Sequence, residues 1–437
     1  MPGALMLPRR VDPNRIRPED SAAHEWYRFV LSFPPHLVKQ YVAKFGLENT
    51  SLVLDPFCGT GTTPVECKKL GIASVGIEAN PMAEFAARVI ADWGIDPDLL
   101  ESHAHQVARK AAENLATQGI VDEPLNGQAL AGAVALRSLA PESMRLLLAD
   151  SIRPLALHKS LALLDVIELE LRDDRVVDHE RLAFAKATVA CVSNLHFGPE
   201  VGVDRLKLSL PVLPSWLNEI RIMAADLRAL RGNRGVPARI LRGDARQDLG
   251  QVLEPRAIDG VITSPPYPNE KDYTRTTRLE SVLLGFIRDR SQLRSLKHSL
   301  VRSNTRNVYK LDDDDKLVAN NARIQEIAAQ IEARRLELGK TSGFERLYAR
   351  VTKLYFGGMA RHLSELKPYL RPGARLAYVV GDQASYLRVL INTGEILGDI
   401  ASSLGYELDS IDLWRTRRGA ATRAQLREEV VCLRWPG

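Results

Sequence analysis

The stretch that most constrains this chain lies between residues 50 and 70. A short apolar run over Thr50 to Asp55 stops in Asp55-Pro56-Phe57-Cys58-Gly59-Thr60-Gly61-Thr62-Thr63, and a helical pattern then runs through Leu70. Strand, tight glycine turn and helix make the first unit of a doubly wound sheet, because Gly59 and Gly61 allow the backbone to approach a ligand closely. The spacing is not the Gly-x-Gly-x-x-Gly of dinucleotide binders. No Gly-Lys-Ser/Thr follows, which argues against a nucleotide P-loop. The next strand, Ile72 to Ile77, ends in Glu78-Ala79-Asn80-Pro81. A carboxylate there, roughly twenty residues after the glycine turn, is where a ribose diol is gripped by two hydrogen bonds; an exposed Glu without a ligand is the alternative.

A second apolar run, Ile258 to Ile262, reads as a buried strand and ends in Thr263-Ser264-Pro265-Pro266-Tyr267. Such a turn offers one hydroxyl, one stiffened carbonyl and one aromatic face at the edge of the sheet where open α/β folds place ligands. That set suits a planar base with an amino group. The lone pair of such an amine is delocalised into the ring, so acceptors that draw both hydrogens out of the plane push nitrogen towards an attacking, tetrahedral form. Ser264 Oγ and the Pro265 carbonyl are the candidate acceptors, and Tyr267 is the stacking face. Taken alone, the string reads equally as a Pro-rich turn.

Together these segments identify a resemblance. Asp55-Pro56-Phe57-Cys58-Gly59-Thr60-Gly61 resembles the cofactor motif of the S-adenosylmethionine-dependent DNA amino-methyltransferases, and Ser264-Pro265-Pro266-Tyr267 resembles their catalytic motif. Serine in the first position is most typical of cytosine-N4 enzymes, whereas Asp or Asn is usual for adenine-N6 enzymes. The resemblance implies a Rossmann-like class I methyltransferase sheet, mostly parallel with an antiparallel last strand, carrying two mainly helical insertions. It assigns Asp55, Phe57, Cys58, Gly59, Gly61 and Thr62 to the cofactor loop, and Glu78 and Asn80 to the ribose side. Asp244 of Arg242-Gly243-Asp244-Ala245 is the acceptor for the adenine amine, and Phe33 lies near the methionine part. Ser264, Pro265, Pro266 and Tyr267 form the catalytic set, S-adenosylmethionine is the cofactor and no metal is expected. The expected reaction is methylation of cytosine N4 in double-stranded DNA with the target base flipped out. The remaining readings are an adenine-N6 DNA methyltransferase, an RNA base methyltransferase and a non-catalytic protein that binds S-adenosylmethionine and DNA. A partner nuclease of a restriction-modification system is plausible by analogy. One departure stands out: in many cytosine-N4 enzymes the catalytic motif precedes the cofactor motif, whereas here Asp55 precedes Ser264.

The chain of 437 residues exceeds a usual single domain, which fits a core with insertions. Six segments are expected: an N-terminal arm (1–30), a first core piece (31–90), a helical insertion (91–236), a second core piece (237–269), a basic helical insertion (270–344) and a third core piece (345–437). Target recognition falls to one or both insertions. No apolar run is long enough for a bilayer and Met1 to Arg17 lacks a signal segment, so a soluble, cytoplasmic protein is expected. The four cysteines are scattered, which argues for reduced thiols and against a zinc site. His103 and His105 are expected to be structural or solvated.

Net charge is +5, yet residues 270–310 hold ten Lys or Arg against four Asp or Glu, a local excess larger than that of the whole chain. A basic face beside the catalytic turn fits a polyanion, with a solvated helix face as the alternative. Lys271, Tyr273, Arg275 and Arg278 interleave cations and an aromatic ring there. Arg415, Arg417 and Arg418 are further candidates for phosphate contacts, in a connection between two closing strands, Glu407 to Trp414 and Glu429 to Trp435. Elsewhere, residues 193–199 read as a loop, Ser215 as a helix N-cap with Gly232 as its stop, and Asp312 to Asp315 as a solvated acidic turn.

Overall fold

The structure, a computed structural model, describes residues 16–27, 32–123, 135–198, 200–208, 210–247, 249–251, 253–418 and 425–437. Its strands are β1 (Leu52–Asp55), β2 (Ala73–Glu78), β3 (Leu195–Phe197), β4 (Val201–Val203), β5 (Ala238–Arg242), β6 (Ile258–Thr263), β7 (Leu370–Gly381), β8 (Glu407–Arg418) and β9 (Gln425–Arg434). Seven of them form one sheet in the order β5-β2-β1-β6-β7-β9-β8, and β3 and β4 form a separate ribbon. Neighbours from β5 to β7 run parallel, while β9 is antiparallel to both β7 and β8. This is the Rossmann-like class I methyltransferase sheet.

Parallel strands covered on both faces read as continuous apolar runs, and successive residues feed opposite cores. On one face, Val53, Ile262, Val379 and Val430 pack with Leu37, Val38 and Tyr41 of the helix Pro35–Phe45. On the other, Leu54, Val261, Val380 and Val431 pack with Val351, Tyr355 and Met359 of the helix Tyr348–Leu366. A third core lies in the first insertion, where helices Pro97–Ala116, Pro154–Asp165, Val177–Ala187 and Val212–Leu230 close over Met82 and Phe85. The described part of the N-terminal arm joins this core: Trp26 is buried and its Nε1–H donates to Asp226 Oδ2 at 2.8 Å. Residues 1–15 and 28–30 of that arm lie outside the described residues. Among the described residues no helix is long and apolar enough to cross a membrane.

Several local expectations change. Residues 195–197 are not loop but one strand of the β3–β4 ribbon, because Leu195 and Val201 bury their side chains in the helical core. Ser215 sits inside a helix that starts at Val212, where Asp122 accepts from the Val212 and Leu213 amides at 3.1 and 2.7 Å and replaces the expected cap. That helix ends before Gly232, which falls in a following 3₁₀ turn. Strand β7 begins at Leu370, and Pro372-Gly373 falls within it, at an irregularity of the β6–β7 register. The closing strands are longer than expected: Arg415 and Arg417 lie in β8, where cross-strand ion pairs with Glu428 extend the ladder.

The acidic run at 312–315 is only partly solvated. Asp312 is paired with Arg302, and Asp314 with Arg246 and Arg361. Its backbone lies against the helix Tyr348–Leu366 at Gly357, where a Cβ would stand 1.9 Å from Asp314 O. A glycine inside a helix is ordinarily a cost, and here close approach requires it. Gly357→Ala is expected to lower stability by about 1–3 kcal/mol or more through overpacking, read as a shifted urea midpoint. Gly358→Ala should cost less, since its Cβ meets only side-chain atoms at 3.3 Å and beyond.

Candidate active site

The carboxyl ends of β1, β2, β5 and β6 converge on one cleft. Gly59 and Gly61 take positive φ, +54° and +91°, and Gly61 precedes the helix Thr62–Lys69. A Cβ on Gly61 would lie 3.3 Å from that of Ala87, so the turn packs closely on the next helix. Glu78 locks the turn in place: its Oε2 accepts from Gly59 N at 2.8 Å and its Oε1 from Asn80 N at 2.7 Å. Asn80 in turn caps the helix Pro81–Ala91 through Met82 N and donates to Thr277 Oγ1 at 3.2 Å. Asp55 lies beneath, accepting from Thr263 Oγ1 at 2.6 Å and Phe57 N at 3.1 Å, which ties β1 to β6.

Phe33, Phe57, Cys58, Gly59, Thr62, Glu78, Asn80 and Asp244 line the cleft together with Ser264, Pro265, Pro266 and Tyr267. Asp55 and Gly61 do not reach its wall and act through the turn they hold. Asp244 is gripped by Arg246, which donates from Nη2 at 2.7 Å and Nε at 3.0 Å, and whose Nη1 reaches Asp314 at 3.0 Å. His362 stands behind this loop. Its Nδ1–H donates to Ala245 O at 2.8 Å, Nε2 accepts from Tyr378 Oη at 2.8 Å, and its ring meets Phe57 edge-on at 4.8 Å. Burial lowers its pKa to about 4, so it is neutral near pH 7.

At the β6 turn, Ser264 Oγ donates to Val379 O at 3.1 Å. With its proton engaged there, the hydroxyl oxygen is an acceptor towards the cleft. Tyr267 is set by its neighbours, its amide donating to Tyr273 Oη at 3.1 Å and its carbonyl accepting from Asn269 N at 2.9 Å. Burial and the nearby Glu428 carboxylate hold the Tyr267 phenol neutral.

The expected phosphate contacts separate. Tyr273 and Arg415 line the cleft, and Lys271 is half-buried at residue 271, where burial lowers its pKa. Arg278 is turned inward, donating to Thr274 O, Thr274 Oγ1 and Leu146 O, so its guanidinium ties residue 278 to Thr274 and Leu146. Arg417 is committed to Glu428 and Asp382 O. Arg275 is half-buried and lies outside the cleft wall. The side chain of Arg418 lies outside the described residues. Sequence reasoning did not single out Arg246, His362, Trp414 or Glu428. Only Arg246 had a local signal, standing two residues after Asp244.

Burial raises several carboxyls, among them Asp55 to about 6, and Glu78 and Glu280 to about 7. Glu280 accepts from the Tyr27 hydroxyl in a closed pocket. Unfolded, it loses its proton near pH 4.5; folded, it keeps it to about 7. In that window the folded state binds more protons, so this group makes stability fall as pH rises, with the full cost reached above pH 7. Buried His179 and His362, whose pKa values are lowered, titrate with the opposite sign. The stability of Glu280→Gln relative to the native chain is therefore expected to increase between pH 5 and pH 8 in paired thermal melts. A difference independent of pH would contradict it.

Residues 11–87 match the model of the N6/N4 methyltransferase family, described as a DNA methylase. The chain is 23% identical to the type II methyltransferase M.BsoBI of Geobacillus stearothermophilus, over 95% of this chain and 85% of that protein. It is 25% identical to M.AvaI of a Nostoc strain, over 94% of this chain and 83% of that protein. A shorter likeness, 40% over 57 residues and 13% of this chain, links it to M.MjaII of Methanocaldococcus jannaschii, of which it covers 11%.

Proposed function

We propose, from the chain's likeness to the S-adenosylmethionine-dependent DNA amino-methyltransferases, that it transfers a methyl group to the exocyclic N4 of cytosine in double-stranded DNA. The type II methyltransferases to which it is similar support a place in a restriction-modification system, with a cognate nuclease as partner.

The residues of the cleft fit the cofactor. Each Glu78 oxygen is fixed by one backbone N–H and keeps a lone pair for a ribose hydroxyl. Asp244 is held rigid by Arg246 for an adenine amine, Phe57 is braced by His362, and the Gly59–Gly61 turn brings backbone to the wall. When bound, S-adenosylmethionine supplies a sulfonium-activated methyl group, so the chain has to position and to stabilise charge.

The observation that carries the cytosine reading is Ser264 at the head of the turn, its proton already donated to Val379 O. Its oxygen and the Pro265 carbonyl draw the two amine hydrogens and hold nitrogen for attack. Tyr267 stacks on the flipped base and offsets part of the few kcal/mol that unstacking costs. Positioning and fixed dipoles carry most of the rate, and no residue acts as a dedicated base. Phosphates are neutralised by the basic insertion. Arg290 and Arg294 are exposed on the helix Arg290–His298, which leads directly into the cleft-lining residues Ser299 to Val301.

Radiolabelled methyl transfer to unmethylated phage DNA, with total RNA as competitor, tests the substrate. The reading expects label in DNA and indifference to RNA at equal mass. Label in RNA alone would overturn it, and cofactor and DNA binding without transfer would favour a non-catalytic protein.

A further inference from the structure

The sheet divides the cleft. Most of the residues assigned to the cofactor lie at or just after the carboxyl ends of β5, β2 and β1; β6 leads into Ser264, and β7, β9 and β8 lie beyond it in the sheet. On that side Arg415 faces Glu428 across the β8–β9 ladder, and both line the cleft beside Trp414. Arg415 Nε donates to Glu428 Oε2 at 2.6 Å, while Arg417 Nε lies 3.0 Å from Oε1. The Arg415 guanidinium lies over the Trp414 ring at 4.6 Å. Glu428 is 5% exposed and backs onto Tyr267: a Cβ on Gly381 would meet Tyr267 Cε2 at 3.1 Å and Glu428 Cγ at 3.2 Å. A buried acid that holds the guanidiniums of both Arg415 and Arg417, with an aromatic ring fixing the plane of the first, is more structure than a phosphate contact needs.

We propose that Arg415 is a specificity-determining residue that reads the pairing edge of the flipped base, and that Glu428 positions it. This rests on the methyl-transfer reading above. Beside its amine, cytosine presents N3 and O2, two adjacent acceptors that a planar guanidinium matches. Adenine presents one acceptor, N1, next to a C–H. Arg415 therefore favours cytosine on Tyr267, with the amine directed to Ser264 and Pro265. The phosphate contact expected for Arg415 is replaced by a base contact.

The test uses the full chain, unmethylated phage DNA and labelled S-adenosylmethionine, comparing the native protein with Arg415→Lys and Arg415→Met. Lysine keeps the charge that a phosphate needs but not the planar fork. The expected result is a loss of methyl uptake of roughly 10- to 100-fold in both variants. DNA affinity and its salt dependence should remain within twofold of native, since bulk binding is set by phosphates. If Arg415→Met does not fold, Arg415→Lys decides alone. Full uptake by Arg415→Lys, or a variant whose loss is in affinity with a salt slope reduced by about one, would overturn the proposal. Failure of the native protein to label DNA while it binds the cofactor would instead defeat the methyl-transfer reading, and this inference with it.

Discussion

Replacing Ser264 with Ala is expected to lower the rate constant for methyl transfer by about 100- to 1000-fold, the effect typical of removing one preorganised hydrogen-bonding group from a reacting centre. Two consequences of the geometry make the expected loss fall on kcat. The hydroxyl lies at the end of β6, away from the Glu78 and Asp244 half of the cleft, so S-adenosylmethionine affinity should stay within about twofold. Its proton goes to Val379 O, a carbonyl of β7 that keeps its place in the sheet, so folding should be nearly untouched. Cofactor titration, thermal melting and single-turnover kinetics on one preparation separate the three quantities. A variant with native rate would show that the amine is held by other groups, and one that loses cofactor affinity equally would show that Ser264 belongs to the cofactor site.

The largest expected loss of stability comes from Arg246→Met. Arg246 is buried between two carboxylates, and Asp244 and Asp314 have 6% and 11% of their side-chain surface exposed. Removing the guanidinium leaves Asp244 with the amide of residue 246 as its described donor, 3.0 Å away, while Asp314 keeps Arg361. An uncompensated buried charge of this kind costs about 3–5 kcal/mol, the partner's desolvation being larger than the pair's own net worth. The double variant Asp244→Asn with Arg246→Met should recover part of that loss, because Asp244→Asn removes the charge that Arg246→Met strands. Urea denaturation of the native chain, both single variants and the double variant gives the coupling directly. A loss under about 1 kcal/mol for Arg246→Met would mean that the Asp244 carboxylate is solvated.

The sheet was legible because its segments are short and locally determined. A buried strand, a turn whose glycines take positive φ and a short helix each leave their mark within about ten residues, as between Leu52 and Lys69. What stayed hidden depends on which distant segments meet. Arg246 and Asp314 are 68 positions apart, and His362 and Ala245 are 117 apart, so no local pattern announces either pair. Charge alone was the weakest guide. Among basic residues near the catalytic turn, Arg278 faces inward on helix carbonyls, and Arg415 and Arg417 converge on one buried glutamate. Composition counts such cations alike; burial and partners decide which of them can meet a phosphate. The same limit explains the acidic run, whose Asp312 and Asp314 find arginines from other segments.

The most direct measurement of the central claim is nucleoside mass spectrometry of DNA from methylation-deficient cells expressing the chain, with Ser264→Ala as the control. The account predicts N4-methylcytosine with the native chain and its loss in the variant. N6-methyladenine in its place would contradict the reading of Ser264, and with it the base preference assigned to Arg415.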